Sequence, residues 1–371
     1  MRRKDSKNNT RTIGKRILAR LAEAFTPRHM VLGFDGFIDE LCRAVDRRDG
    51  AEEIRCFDSI GAFAKRIESA AGLSTAVELQ HGGDQAGGNA PNMGRALLKF
   101  GHQLSLIACL GKDGIHPAFQ ELAASCREAV SLEDPGRTLA LEFEDGKIML
   151  NRPGGLGMLS WDLILRHLPA EILSRLLESA SLAGLLDWSI NPSQSVIFKE
   201  MLRIITGLRD KPTVFFDLSD LLRRSDREIR EIFGIIGEFG AVTPTILGLN
   251  ESESLSMVKA LSVPKADITA RVAGIRERAG IACVVIHSRE GASVADAQCA
   301  CWVDGPYCAS PLVSTGAGDN FNAGFCNAWL LGMAPEECAL MAACTSGYFV
   351  AHGASPGRED LISFIREYCE Q

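Results

Sequence analysis

Apolar residues recur along this chain in two spacings. Short continuous runs cover residues 29–33, 104–110, 212–217, 240–243 and 282–287. They are rich in β-branched residues and mostly end at turn or breaker residues, as parallel strands buried on both faces do. Longer stretches with helical spacing lie between them, over 90–100, 160–168, 171–178, 195–208 and 319–331. Alternation of strand and helix over this length predicts a layered α/β domain around a mostly parallel sheet. A further helix is expected over 339–354, with Ala342, Ala343, Ser346 and Gly347 on a small-residue face. Close helix packing explains that face as well as a flat ligand would.

Two stretches break the rhythm. Residues 40–80 open with a charged loop at 46–53, continue through a helical pattern at 59–71, and close on an extended run at 74–80. Residues 137–151 alternate apolar and polar positions around Glu144-Asp145-Gly146-Lys147, a hairpin signal. Both stretches hold too little apolar area for a core of their own and are expected to be ordered mainly by what they cover.

With 371 residues, 46% of them hydrophobic and 23% charged, the chain has ample length for a large core. A formal net charge of −7 argues against nucleic acid as the main partner. No apolar stretch is long enough to span a bilayer, so no membrane partner is expected. Twelve cysteines without a C-x-x-C pair exclude zinc-ligand spacing and suit reduced thiols in the cytoplasm. The first twenty residues carry eight Lys and Arg against the single acid Asp5. Residues 1–28 are therefore expected to form a solvated basic tail leading into an exposed amphipathic helix.

The most informative run is Ser314-Thr315-Gly316-Ala317-Gly318-Asp319, at the point where a loop becomes an apolar helix. A Gly-Ala-Gly turn lets several backbone N–H groups converge at a helix N-terminus, whose dipole favours an anion. Asp319 there is either a helix cap or a base that faces a hydroxyl while the amides of residues 315–319 hold a phosphoryl group. Upstream lies Gly87-Gly88-Asn89-Ala90-Pro91-Asn92-Met93-Gly94, and between the two runs lies Asn250-Glu251-Ser252-Glu253.

Taken together and in this order, these three runs resemble the signatures of the ribokinase-like (PfkB) carbohydrate kinase family, over roughly residues 31–357. The resemblance implies a three-layer α/β/α fold over 29–371, with a small β-lid built from the segments near 40–80 and 137–151. The first of these looks long for the family, and it is expected to affect substrate choice or subunit contact, such as a homodimer through the lid. The implied reaction is transfer of the γ-phosphoryl of ATP to a hydroxyl of a sugar or related alcohol. It implies Asp319 as base, with Gly316, Ala317 and Gly318 as an anion hole. Such transfer is catalysed by positioning and charge neutralisation, and a base with a low resting pKa suffices. Asp39, or alternatively Asp35, would grip sugar hydroxyls together with Gly87, Gly88 and Asn92. Glu253 and Asn250, with Asp217 as a weaker candidate, would hold Mg2+ through water; a capping box is the competing reading of the first two. Asn250, Thr315 and Gly318, with Ser288 and Gly291 in Val284-Val285-Ile286-His287-Ser288-Arg289-Glu290-Gly291, would lie beside the nucleotide.

This chain departs from the family pattern at several positions. Gly94, Ile286, Ser288, Val313 and Ser314 replace the usual residues. Many relatives place an aspartate at the position of Val313, near a monovalent cation, and valine offers no such oxygen. Two rival readings stand beside the sugar kinase. A nucleoside kinase of the same family would need an aromatic wall, for which the lid offers few residues beyond Phe57, Phe63 and Phe143. A non-catalytic sugar- or nucleotide-binding regulator would fit the altered positions but not the retained Asp319 and Glu253.

Overall fold

The computed structural model describes residues 2–50, 53–264 and 267–370. Strand β1 (His29–Phe34) is buried along its whole length and leads through a sharp bend into β2 (Phe37–Asp49), which leaves the core. β2, β3 (Glu53–Cys56) and β4 (Leu79–Gly87) belong to a second sheet, after which the helix Asn89–Lys99 returns the chain to β5 (Gln103–Ala108) and β6 (Glu128–Ser131). A hairpin of β7 (Gly136–Phe143) and β8 (Gly146–Arg152) completes the second sheet. The rest of the chain alternates helices with β9 (Leu182–Leu186), β10 (Thr213–Asp217), β11 (Thr245–Asn250) and β12 (Cys283–His287), then adds β13 (Gly291–Ala295) and β14 (Ala300–Asp304).

The main sheet has nine strands in the order β14-β13-β12-β11-β10-β9-β1-β5-β6. All neighbours from β6 to β12 are parallel, and β13 and β14 are antiparallel at one edge. Helices cover both faces, so successive residues of one strand feed different layers. Phe215 and Phe216 on β10 pack into opposite apolar clusters for this reason. From β1 the chain first builds outward through β5 and β6 and then crosses to β9. Sheets of this kind bind ligands in the crevice outside the carboxyl ends of the strands, where that reversal occurs.

The lid is a five-stranded sheet in which β2 pairs with β3, β4 and β7. Residues expected as a charged loop at 46–53 are instead the paired ends of β2 and β3; residues 51 and 52 lie outside the described residues. The expected helix is present as Ile60–Glu68, capped by Ser59. The lid has more apolar packing than the two stretches were expected to supply. Phe63 sits 5.5 Å from both Phe57 and Phe143, and Ala44, Ala140 and Leu141 are buried.

Two strands differ from the sequence reading. The run 240–243 is a helix end and turn after Asp226–Gly240, and the strand begins beyond Pro244 as β11. β9 has no β-branched residue and was masked by its Leu, Ala and Gly content, yet it is fully buried beside β1.

The basic helix Arg2–Leu21 packs on the helices Pro335–His352 and Arg358–Glu370 and is not a solvated appendage. Ile13, Ile17 and Leu21 are buried, each contributing about 1.5–3 kcal/mol. Arg20 donates to the carbonyl of Leu331 (2.8 Å), and Arg16 pairs with Glu336 (2.7 Å) and Glu337. All twelve cysteines are free thiols. Among the described residues no helix is long and apolar enough to cross a membrane.

Candidate active site

Carboxylates gather where the sheet reverses. Asp35 follows β1 and Asp187 follows β9, while Asp217 ends β10; Glu253 stands in the first turn of the helix that follows β11. Asp35, Asp187 and Glu253 are buried.

Asp35 accepts hydrogen bonds from the backbone N–H groups of Asn89 (2.5 Å) and Ala90 (2.8 Å). It therefore caps the helix Asn89–Lys99, whose own N-cap, Gly88, has no side chain to do so. Burial raises Asp35 to about 6 in spite of those two bonds. A Cβ on Gly88 would lie 2.7 Å from Asp35 Oδ2, and one on Gly87 would lie 2.2 Å from Asp39 Oδ2. The two glycines thus make room for two carboxylates, a closer reason for the pair than backbone contact with a sugar. Asp39, on β2, is held by the Thr138 hydroxyl and by the charge of Lys147; burial pushes its pKa up against both.

Glu253 and Asn250 form a reciprocal capping box. Glu253 accepts from the Asn250 backbone N–H (2.8 Å) and from Asn250 Nδ2 (2.6 Å), and its own N–H donates to Asn250 Oδ1 (2.9 Å). Burial and the neighbouring Asp217 nevertheless push Glu253 well above the usual carboxylate range. Asp217 accepts from Ser219 N–H (2.9 Å) and from Asn322 Nδ2 (2.6 Å), which ties β10 to the helix Ala317–Leu330. Among the described residues no three or more His, Cys, Asp or Glu side chains are arranged to hold a metal directly.

That helix begins at Gly316, whose φ of 87° is a left-handed conformation that suits glycine, and no side chain caps it. Asp319 lies in its first turn and makes no capping bond to it; its Oδ2 accepts from Asn92 Nδ2 (3.0 Å). Asn92 Oδ1 in turn accepts from Arg95 (3.2 Å), and since a guanidinium only donates, this fixes which end of the amide meets Asp319. Burial first, and the Asp217 charge second, push the Asp319 pKa well above the ordinary carboxylate value, against the bond from Asn92. The low resting pKa expected for this residue is not what its surroundings produce.

Ser288 and Gly291 close the turn between β12 and β13, with Ser288 N–H donating to the Gly291 carbonyl (2.8 Å). A Cβ on Gly291 would lie 2.2 Å from the Val303 carbonyl, so strand packing alone demands glycine there. His287 packs against Phe321 with its ring tilted, centroids 4.8 Å apart, and lies beside Gly318; burial lowers its pKa to about 4. The small face of the helix Pro335–His352 is used in packing. A Cβ on Gly324 would lie 2.9 Å from Ala342 Cα, and Ser346 donates to the Ala317 carbonyl (2.9 Å).

Sequence reasoning overlooked four residues here. Arg95 could have been found, because it stands three residues after Asn92 on the same helical face. Asp187 followed an unrecognised strand. Thr138 and Lys147 looked like ordinary lid residues; Lys147 reaches out of the hairpin to the Thr315 hydroxyl.

The description of prokaryotic ketohexokinases as a family matches residues 6–368. A ketohexokinase of Haloferax volcanii is 26% identical over 354 residues, 94% of each chain. Among solved structures, the ribokinase of Thermotoga maritima superposes with a TM-score of 0.62 at 17% identity, over 92% of this chain and 100% of that one. A phosphofructokinase-2 variant from Escherichia coli gives 0.61 at 16% identity, over 93% and 100%. Likenesses at this identity show the shared fold. The family match along almost the whole chain adds the reaction class: this protein belongs to the prokaryotic ketohexokinase family, within the ribokinase-like kinases, and is an ATP-dependent sugar kinase.

Proposed function

We propose that the acceptor is a free ketohexose and that Asp319 takes the proton from its attacking hydroxyl. The observation that carries this reading is the N-terminus of the helix Ala317–Leu330, which no side chain caps, with Asp319 in its first turn bonded to Asn92 instead. A capping aspartate would occupy N–H groups at that end; those of Thr315, Gly316 and Gly318 are left to offer a phosphoryl group, while that of Ala317 also donates to the Ser314 carbonyl (3.3 Å). Asp39 binds the sugar in preference to Asp35, which is committed to the helix Asn89–Lys99. The nucleotide lies beside Thr315, Gly318 and Asn250, with the Ser288–Gly291 turn as one wall. The three lid phenylalanines pack on one another, which favours a sugar over a nucleoside that needs stacking. Assembly as a homodimer through the lid and a cytoplasmic location complete the reading.

Oxygen ligands with accumulated negative charge, the buried Glu253 beside the half-buried Asp217, suit Mg2+ held through water. Glu253, Asn250 and Asp217 are the residues that would hold it, and it would supply neutralisation of the nucleotide phosphates. Glu253→Gln keeps a side chain that can complete a capping box, so the fold should persist. The Mg2+ concentration for half-maximal rate is expected to rise by about tenfold, with the sugar KM unchanged. An unaltered Mg2+ titration would leave Glu253 as a cap alone.

Because Val313 replaces the aspartate found in many relatives, exchanging K+ for Na+ at constant ionic strength is expected to change the rate by less than about twofold, the size of a general salt effect. Saturable activation by K+ would contradict this. The overall assignment is tested by ATP consumption with purified protein over D-fructose, other hexoses, sugar phosphates and nucleosides. Turnover with D-fructose well above the rest supports it, and preference for a nucleoside overturns it.

A further inference from the structure

Lys147 is a lysine on the lid whose ammonium is directed into the catalytic centre. It follows the hairpin turn at the start of β8, paired with Glu142 on β7. It is partly buried, and its Nζ donates to the Thr315 hydroxyl, one residue before the Gly-Ala-Gly turn. Its charge also acts on Asp39 and on Asp319. One cation from the lid thus lies within electrostatic reach of both the carboxylate assigned to the sugar and the one assigned to the proton.

The reach of Lys147 is prepared by the long lid insertion. Asp145 Oδ1, at the hairpin tip, accepts from the N–H of Ile60 (2.9 Å), and the Glu144 N–H donates to the Asp58 carbonyl (2.9 Å). The N-terminal end of the helix Ile60–Glu68 therefore braces the tip. From that fixed tip the long side chain crosses from the lid to the body of the protein. Burial works against the charged form of Lys147, and the surrounding carboxylates work for it. A cation kept in a partly desolvated place beside a helix N-terminus is a binding group for an anion.

We propose that Lys147 is a catalytic residue that contacts the phosphoryl group during its transfer, opposite the amides of Gly316 and Gly318. In the step, the bond from the γ-phosphorus to the β–γ bridging oxygen of ATP breaks as the sugar oxygen bonds to that phosphorus. The hydroxyl proton goes to Asp319, ADP leaves with the bridging oxygen, and Lys147 stays protonated throughout. Since Lys147 arrives only with the hairpin, the site has its full positive charge only when the lid covers the sugar. This rests on the sugar-kinase reading of the site above, including Asp319 as base.

The test compares Lys147→Met and Lys147→Arg with the wild type, using D-fructose and Mg–ATP, with Asp319→Asn in parallel. For Lys147→Met, kcat is expected to fall by about 10²-fold, with the ATP KM within about threefold. Lys147→Arg, which keeps the charge, is expected to recover to within about tenfold of wild type. A second measurement is the affinity for Mg–ADP with aluminium fluoride in the presence of D-fructose, a mimic of the phosphoryl group in transit. It should weaken by about tenfold or more in Lys147→Met, while Mg–ADP alone binds as before. Wild-type kcat and wild-type fluoride-complex affinity in Lys147→Met overturn the proposal, as does equal loss of Mg–ADP binding. An active Asp319→Asn beside an impaired Lys147→Met would instead remove the base assignment and leave Lys147 in place.

Discussion

Replacing Asp319 with asparagine is expected to lower kcat by about 10²–10⁴-fold while leaving the binding of sugar and ATP nearly unchanged. Asparagine keeps the size of the side chain and can still accept from Asn92, so the loop and helix should stay in place. What it loses is the capacity to take a proton. Steady-state rates combined with equilibrium binding of each substrate separate the two effects. A variant with wild-type turnover would show that Asp319 serves the fold alone. The pH profile should agree in sign. Burial and Asp217 raise the Asp319 pKa, so its carboxylate form, the only one that can act as base, is lost as pH falls through that raised value. The acid limb of kcat/KM should therefore lie well above the ordinary carboxylate range, and it should vanish with the Asn variant.

The second large effect is expected from one methyl group. Gly87→Ala would place a Cβ 2.2 Å from Asp39 Oδ2, so the carboxylate must leave the position in which Thr138 and Lys147 hold it. A charged hydrogen-bonding group is worth about 1.5–3 kcal/mol to its partner, or roughly a 10- to 100-fold rise in the sugar KM. The ATP KM should hardly move, because the displacement is confined to the lid side. Isotope-labelled sugar binding alongside kinetics would check it, and an unchanged sugar KM would remove Asp39 from the substrate site. Thermal unfolding of the variant controls for damage to β4.

How much of this was legible before the fold was known depended on whether a residue's meaning was local. The buried strands β1, β5, β10 and β12 announce themselves, because continuous apolar runs rich in β-branched residues have few other uses. The Gly-Ala-Gly turn and Asn250-x-x-Glu253 were equally visible as patterns, and the capping box at the latter was one of two readings open from sequence. By contrast, the purpose of Gly87 and Gly88 lay in Asp39 and Asp35, which approach from far along the chain. Lys147 looked like turn polarity because nothing in its neighbourhood says that the hairpin folds over residue 315. Asp35 and Asp39 could not be ranked until one of them was seen to cap a helix. The short run Leu182–Leu186 failed for another reason: leucine and alanine suit a helix as well as a buried strand, and its neighbours β1 and β10 decide.

The helix Arg2–Leu21 carries an implication for synthesis. Its apolar stripe of Ile13, Ile17 and Leu21 is covered by helices that begin at Pro335 and Arg358, more than 300 positions downstream. Arg11 donates to the carbonyls of Cys369 and Glu370, and Arg358 returns the contact at Leu21. A ribosome adds about 5–20 residues per second, so this stripe waits on the order of tens of seconds for its partners. During that interval its many positive charges keep it apart from other nascent chains. A basic helix that looks ornamental in the finished molecule thus acts as a solubilising handle for its own unfinished one, until the helix Arg358–Glu370 has emerged to cover it.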